Sequence, residues 1–156
     1  YDIQTPFELG GGFSLNFKGL ILSADATLID YSQIEFSNNK GLGEDYVAGL
    51  NKDVKELLGA VVNYNLGLEY TFPELGLRLR GGFFVKPSAY QEDEATFDKK
   101  YFTGGIGFIA EEAVGIDVGF AHGWWKDYGD NYGTNLSRTL QDISTNNLIL
   151  TVTYRF

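Results

Sequence analysis

The residues best placed to do chemistry are charges at alternate positions of otherwise apolar segments: Asp25, Glu69, Arg78, Arg80, Asp117 and Arg155, with Lys18 and Lys86 nearer segment ends. Single charges are costly to remove from water, so opposite signs on neighbouring segments are expected to pair. Glu69 and Arg78 flank a shared turn, and Asp117 can reach either neighbouring strand. One reading is a polar network that fills and stiffens an interior. The other is a charged path for permeating molecules.

Other chemistry has little to build on. His122 is the single histidine and there is no cysteine, so neither a transition-metal site nor a disulfide framework is available. Glu92, Asp93, Glu94 and Asp98 form an acidic cluster without the ligand spacing of a calcium loop, which reads as a solvated loop rather than an ion site. No GxSxG elbow or phosphate-binding loop occurs. His122 with Ser137 or Ser144 offers a base and a nucleophile, but no flanking motif supports them. The expectation is a protein that is not an enzyme and holds no cofactor and no metal. A net charge of −9 also argues against a nucleic-acid partner.

The elements that carry these charges are strands. Leu148, Leu150, Val152, Tyr154 and Phe156 alternate with Asn147, Ile149, Thr151, Thr153 and Arg155. Val62 to Phe72, Leu75 to Val85, Phe102 to Phe108, Val114 to Phe120, Leu9 to Phe17 and Leu20 to Leu28 repeat the pattern. Period two with one apolar face is what a strand shows when one side meets lipid and the other water. Although 44% of the residues are hydrophobic, no run approaches the roughly 20 apolar residues of a spanning helix. Seven strands are predicted near 6–18, 19–34, 57–72, 75–88, 99–110, 113–126 and 144–156. The first part of Asp45 to Leu58 reads as a short amphipathic helix, with an irregular loop as the competing reading.

Connections alternate in length. Phe17–Leu20, Phe72–Leu75 and Ala110–Ala113 are tight, whereas 35–56, 89–98 and 127–143 are long and polar. Short turns on one side and long loops on the other are the habit of outer-membrane barrels. The fold class expected is therefore all-β, a transmembrane antiparallel barrel of the bacterial outer membrane. The last strand should end in the periplasm and the long loops should lie outside. An odd strand count, a chain without Met and no leader in Tyr1–Phe7 predict a processed form or the carboxyl-terminal part of a larger barrel. Phe17, Tyr70, Phe72, Tyr154 and Phe156 are expected in one aromatic belt. Trp124, with Trp125, Tyr128 and Tyr132, is expected in the other. A ligand-capturing aromatic patch is the alternative for that second group.

Several segments resemble the outer-membrane transporters of long-chain fatty acids and aromatic hydrocarbons, the FadL and TodX group. They are Thr5-Pro6-Phe7, Leu22-Ser23-Ala24-Asp25-Ala26 through Ile29-Asp30-Tyr31-Ser32, Leu66-Gly67-Leu68-Glu69-Tyr70, Leu77 to Phe84 with Pro87-Ser88, Tyr101 to Phe108 and Ile116 to Phe120. Tyr154 and terminal Phe156 look like the signal read by the outer-membrane assembly machinery. The resemblance implies a barrel of about fourteen strands with an internal plug, and a hydrophobic ligand taken up from outside; no segment here matches the plug. The partners expected are outer-membrane lipid, a hydrophobic small molecule and the assembly machinery. Two other readings remain: a small structural or adhesive outer-membrane barrel without a conduit, and a soluble β-sandwich binding module.

Overall fold

A computed structural model describes residues 2–37, 41, 43–110, 113–130 and 138–154 of the chain. In chain order the elements are β1 (Asp2–Gln4), β2 (Glu8–Phe17), β3 (Leu20–Asp30), β4 (Glu35–Ser37), α1 (Glu44–Leu57), β5 (Ala60–Phe72), β6 (Leu77–Lys86), β7 (Lys99–Ala110), β8 (Val114–Asp130) and β9 (Arg138–Tyr154). The period-two segments become one antiparallel sheet in the order β2-β3-β5-β6-β7-β8-β9. Each of these strands therefore pairs with the sheet strand before or after it in the chain. The turn between β2 and β3 shows the local cause. Lys18 and Gly19 have φ of 48° and 89°, the left-handed pair whose twist suits a two-residue hairpin.

Register sorts the side chains onto two faces. On one, Leu66 lies opposite Ala24 and Phe83, and Val118 lies opposite Ile106 and Leu150. On the other, Glu69 lies opposite Arg80, and Asp25 opposite Asn65. The sheet is a single layer. Among the described apolar residues only Ile29, Val47 and Val85 are buried, whereas Leu148 on the apolar face is 74% exposed. A domain in water normally buries such a face against a second layer.

The structure departs from the expectations at several points. More than half of the predicted 127–143 loop is strand: Lys126 pairs with Asp142 and Asp130 with Arg138, so only 131–137 lies between the two strands. This stretch has Tyr128 opposite Leu140 but no sustained alternation, and backbone ladder bonds hold it. The helix covers the whole of Glu44–Leu57 rather than its first part. Val47 anchors it by burial, and Asn51 exchanges two hydrogen bonds, of 2.8 and 3.0 Å, with the backbone of Phe36 on β4. The ribbon of β1 and β4 was not expected, because three-residue strands display no period. No ladder joins β2 to β9 among the described residues, so the seven strands form an open sheet. The expectation is of about seven strands belonging to a larger barrel, and no closed barrel is seen among the described residues. No described helix is long and apolar enough to cross a membrane.

Candidate ligand site on the polar face

Most of the predicted charges share the polar face, but their partners differ from those expected. Arg80 Nε donates to Glu69 Oε2 at 2.6 Å, and Arg80 Nη1 donates to Asp117 Oδ1 at 2.6 Å. Glu69 thus pairs with the residue directly opposite it, not with Arg78 nearer the turn. Arg78 sits opposite Thr71, and its Nε is buried with no partner among the described residues. Asp25 accepts from Asn65 Nδ2 at 2.5 Å, joining β3 to β5 apart from the arginine bridge. Arg155 lies outside the described residues.

Glycines make the arginine bridge possible. Arg80 on β6 reaches Asp117 on β8 across β7, where Gly105 and Gly107 occupy the intervening positions. A methyl at Gly107 would sit against the Asp117 carboxylate and 3.7 Å from Arg78 Cβ. Two positions without side chains let one guanidinium link three strands.

Toward the long loops, the same face is aromatic and basic. Phe84 and Tyr101 stack at 4.4 Å, Tyr101 lies 6.0 Å from Trp125, and Lys99 Nζ stands 5.4 Å over the Trp125 ring. Trp125 therefore does not belong with Trp124 in a belt. The two are neighbours on one strand and point to opposite faces, Trp124 opposite Lys100 and Trp125 opposite Ile143.

Above this aromatic row a cavity of about 760 Å³ opens. Strand ends and loop 87–98 line it, with Lys86, Lys99, Lys126 and Arg138 as its cations and Asp93 and Asp127 as its acids. Tyr31, Tyr90, Phe97, Trp125 and Tyr128 supply aromatic wall. The loop is held on two sides: Gly59 N donates to Ala89 O and Gln91 N to Leu57 O, while Lys126 N donates to Thr96 O, all at 2.9 Å. Phe97 stacks on Tyr128 at 5.2 Å. Within the loop, Ser88 Oγ donates to Asp93 at 2.5 Å and Ser88 N to Asp98 at 3.2 Å. Two members of the acidic cluster are thus loop staples. Among the described residues no three His, Cys, Asp or Glu side chains come together as a metal site.

Sequence reasoning missed this cavity because its lining comes from six strand ends, a turn and a loop far apart in the chain. One signal was present: Lys86 and Lys99 bracket the loop at the last and first positions of adjacent strands.

The remaining predicted residues lie on the apolar face. Phe17, Tyr70, Phe72 and Tyr154 sit at the short-turn end, where Tyr70 and Phe72 pack edge-to-face at 4.6 Å. Trp124 sits toward the opposite end, stacked on His122 at 5.6 Å. Phe156, the other half of the expected assembly signal, lies outside the described residues, as do Tyr132 and Ser137. His122 Nδ1 hydrogen-bonds Asn146 Oδ1 at 2.9 Å, and Ser144 lies opposite Trp124.

Fold and site together define a mostly β protein with a single-layer antiparallel sheet, an α-helix, and a basic, aromatic-walled cavity at its long-loop end. No protein-family model, no curated protein and no solved structure matches the chain.

Proposed function

We propose that this chain forms part of a bacterial outer-membrane β-barrel that carries hydrophobic small molecules, such as long-chain fatty acids or aromatic hydrocarbons. The observation that carries the reading is the shape of the apolar face. Val114, Ile116, Val118 and Phe120 on β8 give way to His122 and Trp124; Tyr154 to Leu148 on β9 give way to Asn146 and Ser144; Phe108 to Phe102 on β7 give way to Lys100. Register sets His122 opposite Asn146 and Phe102, and Trp124 opposite Lys100 and Ser144, so polarity changes within one residue pair of a common level across three strands. Val114 to His122 spans about 27 Å of strand at roughly 3.4 Å per residue. A tilt of about 40° reduces this to about 20 Å, near the height of the lipid-facing band of outer-membrane barrels.

Water would penalise such a face, since monomers rarely leave more than roughly 300–600 Å² of contiguous apolar surface open. Lipid would not. In lipid, however, every backbone group needs a partner, so the sheet must close. Closure takes further ladders at the outer edges of β2 and β9, in keeping with the barrel of about fourteen strands that the family resemblance implies. The aromatic residues at both ends of the band fit headgroup belts. Tyr154 and Phe156 fit an assembly signal.

The test is uptake. Proteoliposomes holding the folded protein should take up a long-chain fatty acid or an aromatic hydrocarbon faster than empty liposomes. Equal rates sink the transport reading. A second reading, a structural or adhesive barrel without a conduit, draws on the Glu69–Arg80–Asp117 bridge, which fits an interior filled by side chains. It predicts membrane insertion without uptake.

A further inference from the structure

We propose that the cavity at the long-loop end binds an aromatic carboxylate, a flat apolar body bearing one negative charge. The inference rests on the transport reading for its biological role and names the substrate class of that site.

Charge placement is the first argument. Lys86 and Lys99 are register partners, directly opposite each other on the polar face. Facing like charges on adjacent strands are unfavourable, and an anion between them removes the conflict. Lys126 and Arg138 also line the cavity, but the ladder sets Lys126 opposite Asp142 and Arg138 opposite Asp130, so Lys86 and Lys99 carry the charge argument in a protein of net charge −9. The two acids in the lining already accept hydrogen bonds: Asp93 from the Ser88 hydroxyl and Asp127 from Tyr128 N. None of the four cations forms an ion pair among the described residues.

The walls set the rest of the ligand. An inorganic anion would use the lysines but make no use of the aromatic wall. Aromatic rings favour a flat π-system in offset or edge-on contact. The Trp125 ring already carries Lys99 over it at 5.4 Å, which brings the cation beside the surface a ring would lie on. A volume of about 760 Å³ is within the range of small-molecule sites, with room for two fused rings.

The experiment uses 2-naphthoate as probe, with the folded protein in detergent micelles and calorimetric titration against micelle blanks. Neutral 2-naphthylmethanol and the alkyl anion octanoate are the comparisons. The expected result is saturable 2-naphthoate binding, with both comparisons weaker by at least about tenfold, a difference of about 1.4 kcal/mol. Lys86→Gln with Lys99→Gln should weaken binding by about tenfold or more, and salt should weaken it through screening. Equal binding of the neutral alcohol, equal binding of octanoate, no binding of 2-naphthoate or an unaffected double variant would each overturn the proposal. Uptake is measured separately. Protein that binds 2-naphthoate but passes no hydrophobic compound into liposomes would sink the transport reading and leave this site standing.

Discussion

Arg80 donates to Asp117 at 2.6 Å across the full width of β7, although the two residues belong to strands that do not touch. The same guanidinium binds Glu69 on β5. Its side chain is 37% exposed and those of the acids about a quarter, at 25% and 26%, so the bridge lies between the exposed and buried limits. Arg80→Leu leaves two carboxylates without their cation. It should cost about 1–2 kcal/mol, above a surface pair and below a buried one. Urea unfolding of the folded protein in lipid checks this, and an unchanged midpoint would show the bridge to be energetically idle.

Glycines on the polar face should differ sharply in tolerance. A methyl at Gly123 would lie 2.6 Å from Tyr101 Cδ1, whereas a methyl at Gly119 meets nothing within 4 Å. Gly123→Ala should therefore destabilise by about 1–3 kcal/mol through overpacking. Gly119→Ala should be close to neutral. Equal effects of the two would mean that Tyr101 moves aside freely.

Substitution on the apolar face separates lipid from water. Leu66 is 53% exposed in the middle of β5. In an aqueous protein an arginine there would cost little. In a bilayer Leu66→Arg should cost about 2–4 kcal/mol. A loss below about 0.5 kcal/mol, the range of ordinary surface changes, would contradict membrane insertion.

Accessibility provides an independent check. Because the chain lacks cysteine, single Cys variants report one position each. Leu148 and Ile149 are exposed to similar degrees, 74% and 63%, but point to opposite faces. In liposomes, Ile149→Cys should react with a charged, membrane-impermeant maleimide and Leu148→Cys should not. Similar reactivity at both positions would place both faces in water.

How much of this was readable in advance depended on whether a segment had a period. Leu66 to Tyr70 and Val114 to Phe120 alternate cleanly, and their strands lie where the alternation put them. Asp127–Asp130 and Arg138–Ile143 carry isolated apolar residues (Tyr128, Leu140 and Ile143) without a period, so nothing in the residue order distinguished a paired ribbon from a loop. Glu69 was legible as a charge needing a partner. Its choice of Arg80 over Arg78 depended on register, which is fixed by the turn at 73–76 and not by residue type. Trp124 and Trp125 read as a pair because they are adjacent, although adjacency in a strand separates them. The cavity joins Tyr31, Asn63, Lys86, Phe97 and Tyr128, and no one-dimensional pattern connects those positions.

The neighbour-to-neighbour order of the sheet has an evolutionary consequence. Since no sheet strand crosses over another, a whole hairpin with its turn is a unit that can be added. Adding one beyond an edge would change the width by about 10 Å, two strand spacings, and leave the existing ladders in register. The width of such a sheet can therefore grow in steps of two strands, while the bridge at Arg80 and the cavity beside Trp125 pass intact from one size to the next.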